Sequence, residues 1–160
     1  MLDGSAITIE ISGAPVPWAR TGGNGKRRFT PAKMGKWKDV AGLYATVAMA
    51  GRKPLTGPLL LTYTAIYEIP KSWPKWKRQA AVDGHIGMTS APDLDNLVKC
   101  TGDAFNKIVY TDDALITKGA VNKIYGPVAK VVATVTRLDQ LPNTCTRTEL
   151  NAFLELGRAA

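Results

Sequence analysis

Five aspartates and one lysine lie close together between Pro92 and Asp113. Carboxylates held at one place repel each other, and a hard divalent cation relieves that repulsion. A lysine beside such a site can stabilise the charge that develops on a phosphate under attack. The pattern therefore predicts a Mg²⁺ site suited to phosphoryl chemistry. Its members are Asp93, Asp95, Lys99, Asp103, Asp112 and Asp113.

A helix is predicted to position most of these side chains. It is expected over residues 94–106, with Asp93 as its N-cap, because Pro92 disfavours helical backbone just before it. Asp95, Lys99 and Asp103 then recur one turn apart along one face. A separate apolar stripe would face the core, formed by Leu94, Leu97, Val98, Thr101 and Phe105.

The spacing by itself also allows a purely structural interpretation. Asp93 would then only cap the helix, the three helical charges would form an exposed ion-pair ladder, and Asp112-Asp113 would be a turn. In the metal interpretation the adjacent pair has unequal roles, because neighbouring side chains of a strand point to opposite faces. His85, the only histidine, lies in a predicted loop and is expected to be exposed and without a catalytic role.

The rest of the chain is strongly basic. The net charge is +8, with 21 Lys and Arg against 13 Asp and Glu, which favours a polyanionic partner. Residues 20–28 are predicted to form a mobile basic loop. A second basic cluster is interleaved with Trp73 and Trp76, which either stack on bases or pack inward. The predicted DNA-backbone contacts are Arg20, Lys26, Arg27, Arg28, Lys71 and Lys75.

Length and patterning predict a single α+β domain with a central mixed β-sheet packed by helices. Residues 1–140 would form this domain and 141–160 a helical extension. Strands are expected at 6–11 and 59–69, and at 114–125 and 128–137 as a hairpin around Gly126-Pro127. A helix is expected from Pro31 to about Met49, with Thr30 as its N-cap, and another at 146–156, opened by a capping-box pattern from Thr146 to Glu149. A long loop is expected over 70–91.

Three further features bear on the setting of the protein. In the first predicted helix, the stripe expected to be buried comprises Met34, Trp37, Val40, Ala41, Tyr44, Val47 and Ala48. No apolar run approaches the roughly 20 residues that span a bilayer, so we expect no membrane contact and a cytoplasmic location. Cys100 and Cys145 lack zinc-ligand spacing and are expected to be reduced.

One long string of residues resembles a known family. The string PDLDNLVK at 92–99, DAFN at 103–106 and VYTDDA at 109–114, with Lys123, is similar to the RusA family of Holliday junction resolvases. The opening strand, the basic loop and the segment 69–73 also follow that family's layout. Together these features cover most of residues 5–137.

The resemblance implies a homodimeric, Mg²⁺-dependent endodeoxyribonuclease acting on four-way DNA, with Mn²⁺ as an alternative ion. It assigns metal binding to Asp93, Asp95 and Asp113 and the essential lysine to Lys99. Asp103 and Asp112 would be supporting. The spacing from Asp103 to the acidic pair is one residue shorter than in the family pattern, which leaves Asp112 a candidate beside Asp113. Rival functions are a nuclease for flaps or forks, and a non-catalytic DNA-binding module.

Overall fold

Alternating β-branched residues form the first strand, which lies at one edge of the main sheet. The computed structural model describes residues 6–20, 22–23 and 28–158. Strand β1 spans Ala6–Ser12, and Ile7, Ile9 and Ile11 on its inner face are buried. Two-residue strands follow at Gly22–Gly23 (β2) and Arg28–Phe29 (β3), and they pair with each other.

A four-stranded mixed sheet forms the centre of the fold. Its other strands are β4 (Leu59–Glu68), β5 (Ile116–Gly126) and β6 (Lys130–Arg137), in the spatial order β1-β6-β4-β5. Strand β6 is antiparallel to both β1 and β4, whereas β5 runs parallel to β4. The predicted single α+β domain with a mixed sheet is confirmed.

The predicted hairpin between the last two strands is wrong. Strand β4 lies between β5 and β6, so the connection after Gly126 passes over the end of β4, where the Ile69 amide donates to the Gly126 carbonyl at 3.0 Å. The short Gly126-Pro127 link resembles a hairpin turn in sequence. Burial explains the actual order, because β4 carries the fully buried Leu59 and Tyr63 and gains a neighbour on each side.

Four helices complete the described chain. They are α1 (Ala32–Met49), α2 (Lys75–Val82), α3 (Leu94–Phe105) and α4 (Arg147–Arg158). Helix α1 packs against β1 and α3, and one hydrophobic core joins these elements to the inner face of the sheet. Among the described residues, none of the helices combines the length and apolarity needed to cross a membrane.

The buried face of helix α1 overlaps only in part with the predicted one: Met34, Trp37 and Ala41 are buried as predicted. Pro31 is its N-cap, one residue later than expected, and its buried residues are Met34, Trp37, Ala41, Ala45 and Met49. Val40, Tyr44 and Val47 were predicted to be buried but are exposed, Val47 by 71%. Both sides of this helix are apolar, so periodicity alone does not choose between them. The small Ala41 and Ala45 side chains let the helix approach its neighbours closely.

The predicted loop over residues 70–91 contains helix α2. Only Ala81 of α2 is buried, so the segment lacks the apolar stripe that indicates a helix in a sequence. Trp73 just before it packs edge-on against Tyr125 of β5, with ring centroids 5.1 Å apart. Trp76 is 70% exposed. The two tryptophans therefore divide between the two interpretations, one packed inward and one open to solvent.

The capping box of the last helix is formed as predicted. The Glu149 carboxylate accepts from the Thr146 amide at 2.6 Å, and the Thr146 hydroxyl accepts from the Glu149 amide at 3.3 Å. The Glu149 carboxylate also accepts from the Thr146 hydroxyl at 2.8 Å, and the two bonds that it accepts from Thr146 hold its pKa below its usual range.

Close packing at Gly126 yields a stability prediction. A Cβ there would lie 2.5 Å from Cγ2 of Ile66, a methyl carbon bonded to Cβ and therefore close to the backbone of β4. We expect Gly126→Ala to lower the free energy of unfolding by about 1–3 kcal/mol, measured by urea denaturation. Gly119→Ala is the matched control in β5, because its nearest neighbour is the Leu61 carbonyl oxygen at 3.9 Å. Equal losses in both variants would contradict this account.

Candidate active site

A cavity of about 720 Å³ opens between helix α3 and strand β5. Its walls are mainly aliphatic, and its charged groups come from two elements: Asp95 and Lys99 from α3, and Asp113 from the 3-10 turn (Asp113–Leu115) that leads into β5. Asp95 and Lys99 are one helical turn apart, and Asp113 follows them by 18 and 14 positions, so the fold brings together residues that are distant in the chain. The lining residues are Leu61, Leu94, Asp95, Val98, Lys99, Gly102, Asp113, Ile116 and Val121.

Asp93 stands at the edge of this site and does not line the cavity. It is the N-cap residue of α3 by backbone position, yet its carboxylate accepts no capping hydrogen bond. The side chain is exposed. The structural interpretation in which the Asp93 carboxylate serves to cap the helix is therefore not realised, and the carboxylate is left available for another partner.

The predicted ion-pair ladder along α3 is also not formed. The Lys99 ammonium lies 3.8 Å from the centroid of the Trp18 ring, a cation–π contact. Asp103 instead binds the Lys38 ammonium of α1 at 2.9 Å. Within the described part of the chain, Lys99 makes no ion pair with Asp95 or Asp103. Asp103 therefore joins α3 to α1 and is not part of the cavity.

Lys123 fastens the segment that precedes α3. Its ammonium reaches from β5 to donate to the carbonyl oxygens of Ser90 and Pro92, each at 2.8 Å. The bond to Pro92 comes immediately before Asp93 and sets the entry of the chain into the helix. The sequence offered Lys123 only as a member of the family string, with no indication of its partners.

The two adjacent aspartates occupy different environments. Asp112 accepts a hydrogen bond from the Ala114 amide at 2.9 Å, and Lys107 lies 3.9 Å away. The bond from the Ala114 amide lowers the pKa of Asp112, and the Lys107 charge adds to the effect. Asp113 faces the cavity. Asp112 thus closes the turn that presents Asp113.

Tyr110 ties this turn back to the helix. Its hydroxyl is fully buried and donates to the Gly102 carbonyl of α3 at 2.9 Å. Burial raises the pKa of this hydroxyl, with smaller contributions from the charges of Asp113 and Asp103. The bond links the segment carrying Asp113 to the helix carrying Asp95.

The predicted DNA-contact residues are only partly within the described structure. Lys26, Arg27 and the Arg28 side chain lie outside the described residues. Arg20 is exposed two residues after Trp18, and Lys75 is exposed at the start of α2. Lys71 is exposed and lies 3.7 Å from Glu68.

His85 is exposed and its side chain does not line the cavity, in line with the expectation.

A metal site must be judged from these donors. Across residues 6–20, 22–23 and 28–158, no three or more His, Cys, Asp and Glu side chains come together in a group able to hold a metal ion. The cavity offers two carboxylates, Asp95 and Asp113. Mg²⁺ is commonly bound through one or two carboxylates, with waters and substrate phosphates completing its shell, so this donor set fits Mg²⁺.

Two carboxylates and an ammonium group line one cavity in a protein of net charge +8, a charge layout that suits hydrolysis of phosphodiesters. Comparison with known proteins leads to the nuclease class. The family model described as Endodeoxyribonuclease RusA matches residues 12–136. The chain belongs to the RusA family of endodeoxyribonucleases. A similar relative is the Uncharacterized protein YqaN of Bacillus subtilis (strain 168), 31% identical over 134 residues that cover 78% of this chain and 92% of the relative.

The turn at Asp112 gives a test of its supporting role. In Asp112→Asn the side-chain oxygen can still accept from the Ala114 amide, so we expect nuclease activity close to wild type. Asp112→Ala removes the acceptor and should lower activity by about tenfold or more by releasing Asp113. The measurement is the single-turnover cleavage rate of a DNA substrate. An Asn variant as inactive as the Ala variant would instead indicate that the Asp112 charge is required.

Proposed function

We propose that this protein is a Mg²⁺-dependent endonuclease that resolves Holliday junctions by hydrolysing phosphodiesters in four-way DNA during recombination and repair. The observation that carries the proposal is the convergence of Asp95, Asp113 and Lys99 on one cavity in a member of this endodeoxyribonuclease family. Membership of the family supports the nuclease class, and the cavity supplies residues for the chemistry.

Asp95 and Asp113 are the proposed metal ligands within the cavity. Asp93, which lies outside the cavity and forms no group with these two in the structure, is proposed as a third ligand that would join them only when the ion is bound. When bound, Mg²⁺ neutralises charge on the scissile phosphate and makes a bound water more acidic. Mn²⁺ has similar oxygen preferences and is expected to substitute.

The chain's own cations have separate proposed roles. Lys99 supplies a positive charge at the cavity that stabilises the developing charge on the phosphate. Arg20, Lys71 and Lys75 bind DNA backbone outside the cavity, together with Lys26, Arg27 and Arg28, which the sequence assigns to the same role. The exposed Trp76 beside Lys75 is a candidate platform for an unpaired base.

We propose that the working form is a homodimer. A four-way junction has approximate two-fold symmetry and requires two matched incisions, which a pair of sites related by a two-fold axis provides. The expected dimers of this family support this state. We also propose a cytoplasmic location in a bacterial or phage-infected cell, because the proposed DNA substrate would be found there. Light scattering at the concentration used for cleavage measures the mass directly.

The cleavage test uses neutral variants of the two cavity carboxylates. We expect wild type with Mg²⁺ to cut a synthetic four-way junction, and Asp95→Asn or Asp113→Asn to lose at least about 100-fold in single-turnover rate, because several kcal/mol of charge stabilisation depend on the ligands. Asp39→Asn is the matched control, since it changes net charge equally at an exposed residue of α1 outside the cavity. Equal cleavage by wild type and Asp95→Asn would refute the mechanism.

Two alternatives give different results in the same assay. A nuclease for flaps or replication forks would cut those substrates faster than the four-way junction at equal concentration. A non-catalytic DNA-binding module would cut none of them, and Mg²⁺ would not raise its thermal midpoint.

The proposed backbone contacts predict a change in salt dependence. Each neutralised phosphate contributes about −0.9 to the slope of log affinity against log salt concentration on duplex DNA. We expect Arg20→Gln and Lys75→Gln each to weaken junction binding and to reduce the slope by roughly one. Fluorescence anisotropy at several salt concentrations checks this. Lys130→Gln, whose ammonium is paired with Glu10 at 2.7 Å, should leave the slope unchanged.

A further inference from the structure

Lys99 contacts the aromatic ring of Trp18, although the Asp95 carboxylate is also within its reach along helix α3. Its ammonium lies 3.8 Å from the Trp18 ring centroid. Asp95 is one helical turn away, at the i, i−4 position that ordinarily forms an ion pair with a lysine. An exposed ion pair and an exposed cation–π contact are of comparable strength. The choice between them therefore depends on how firmly the ring is held.

The backbone at Trp18 is held by contacts with both helices. The Trp18 amide donates to the Asn96 carbonyl of α3 at 2.7 Å, and the next amide, of Ala19, donates to the Met34 sulfur of α1 at 3.2 Å. The ring is half-buried against the hydrophobic core. The segment after β1 is thus fixed to the two helices, and the core limits the space into which the ring can move.

This arrangement has a consequence for the acidic residues. A lysine paired with Asp95 would occupy an oxygen that the divalent cation needs, and its charge would oppose cation binding. With Lys99 placed on an uncharged ring, the ammonium lies at the cavity while the Asp95 carboxylate carries no ion pair within the described residues.

We propose that Trp18 is a positioning residue that holds the Lys99 ammonium away from Asp95 and so keeps that carboxylate available to the divalent cation. The inference rests on the proposed function, because it assigns Trp18 a role at the same site. Trp18 does not line the cavity, so it would contact neither the divalent cation nor the substrate. Its effect passes through Lys99, so the effect must disappear when the Lys99 charge is removed.

The test measures Mn²⁺ binding by calorimetry without DNA, in wild type, Trp18→Met, Trp18→Phe, Lys99→Met and the double variant Trp18→Met/Lys99→Met. Trp18→Met keeps apolar bulk without a ring, and we expect it to bind Mn²⁺ about two- to five-fold more weakly, the range of an exposed ion pair. Trp18→Phe keeps a weaker ring and should lie between wild type and Trp18→Met. Thermal unfolding establishes whether each variant is folded. If Trp18→Met is unfolded, Trp18→Phe still tests the inference.

The decisive comparison is in the Lys99→Met background. There we expect Trp18→Met to have no further effect on Mn²⁺ affinity, because no ammonium remains to move onto Asp95. An equal loss in both backgrounds would show that Trp18 acts only through packing and would overturn the inference.

The failure of the inference differs from that of the proposed function. If wild type binds no Mn²⁺ and Asp95→Asn behaves identically, the proposed function fails and the inference with it. If wild type binds Mn²⁺ in a manner that requires Asp95 and Trp18→Met binds it equally well, only the inference fails.

Discussion

The parallel pairing of β5 with β4 is the constraint on which the site depends. It places β5 beside the central strand and opposite α3, so that the start of β5 and the first turns of α3 enclose the cavity. Parallel neighbours cannot be joined by a tight turn, and the connection from β4 to β5 accordingly includes α2 and α3. Helix α3 within this connection thus forms one wall of the cavity, and strand β5, which follows the connection, forms the other.

Polar contacts then fix how the two walls meet. Lys123 reaches from β5 to the carbonyl groups ahead of α3, and the Tyr110 hydroxyl joins the segment before β5 to the Gly102 carbonyl within α3. These three bonds connect the segment that precedes Asp93 to β5, and the segment that precedes Asp113 to α3. A carboxylate pair can share one ion only if the backbones are held in place, and these contacts provide that support.

The cations near the acidic cluster are held by partners of their own. Lys38 binds Asp103, Lys107 lies near Asp112, and Lys99 lies on the Trp18 ring. Two of the five aspartates are thereby given lysine neighbours outside the cavity, while Asp95 and Asp113 face into it. The cluster is therefore divided by local pairing into structural and cavity-facing members.

Sequence patterns determined the features that depend on local chemistry. The alternation in β1, the apolar run of β4, the capping box of α4 and the helical spacing of Asp95 and Lys99 all follow from neighbouring residues, and the RusA-like string identified the family. Tertiary structure alone decided three others: that β4 separates β5 from β6, that α1 buries Ala45 and Met49 rather than Val40 and Val47, and that Lys99 contacts Trp18. Each of these is a choice between local arrangements of similar energy, and contacts between residues distant in sequence make that choice.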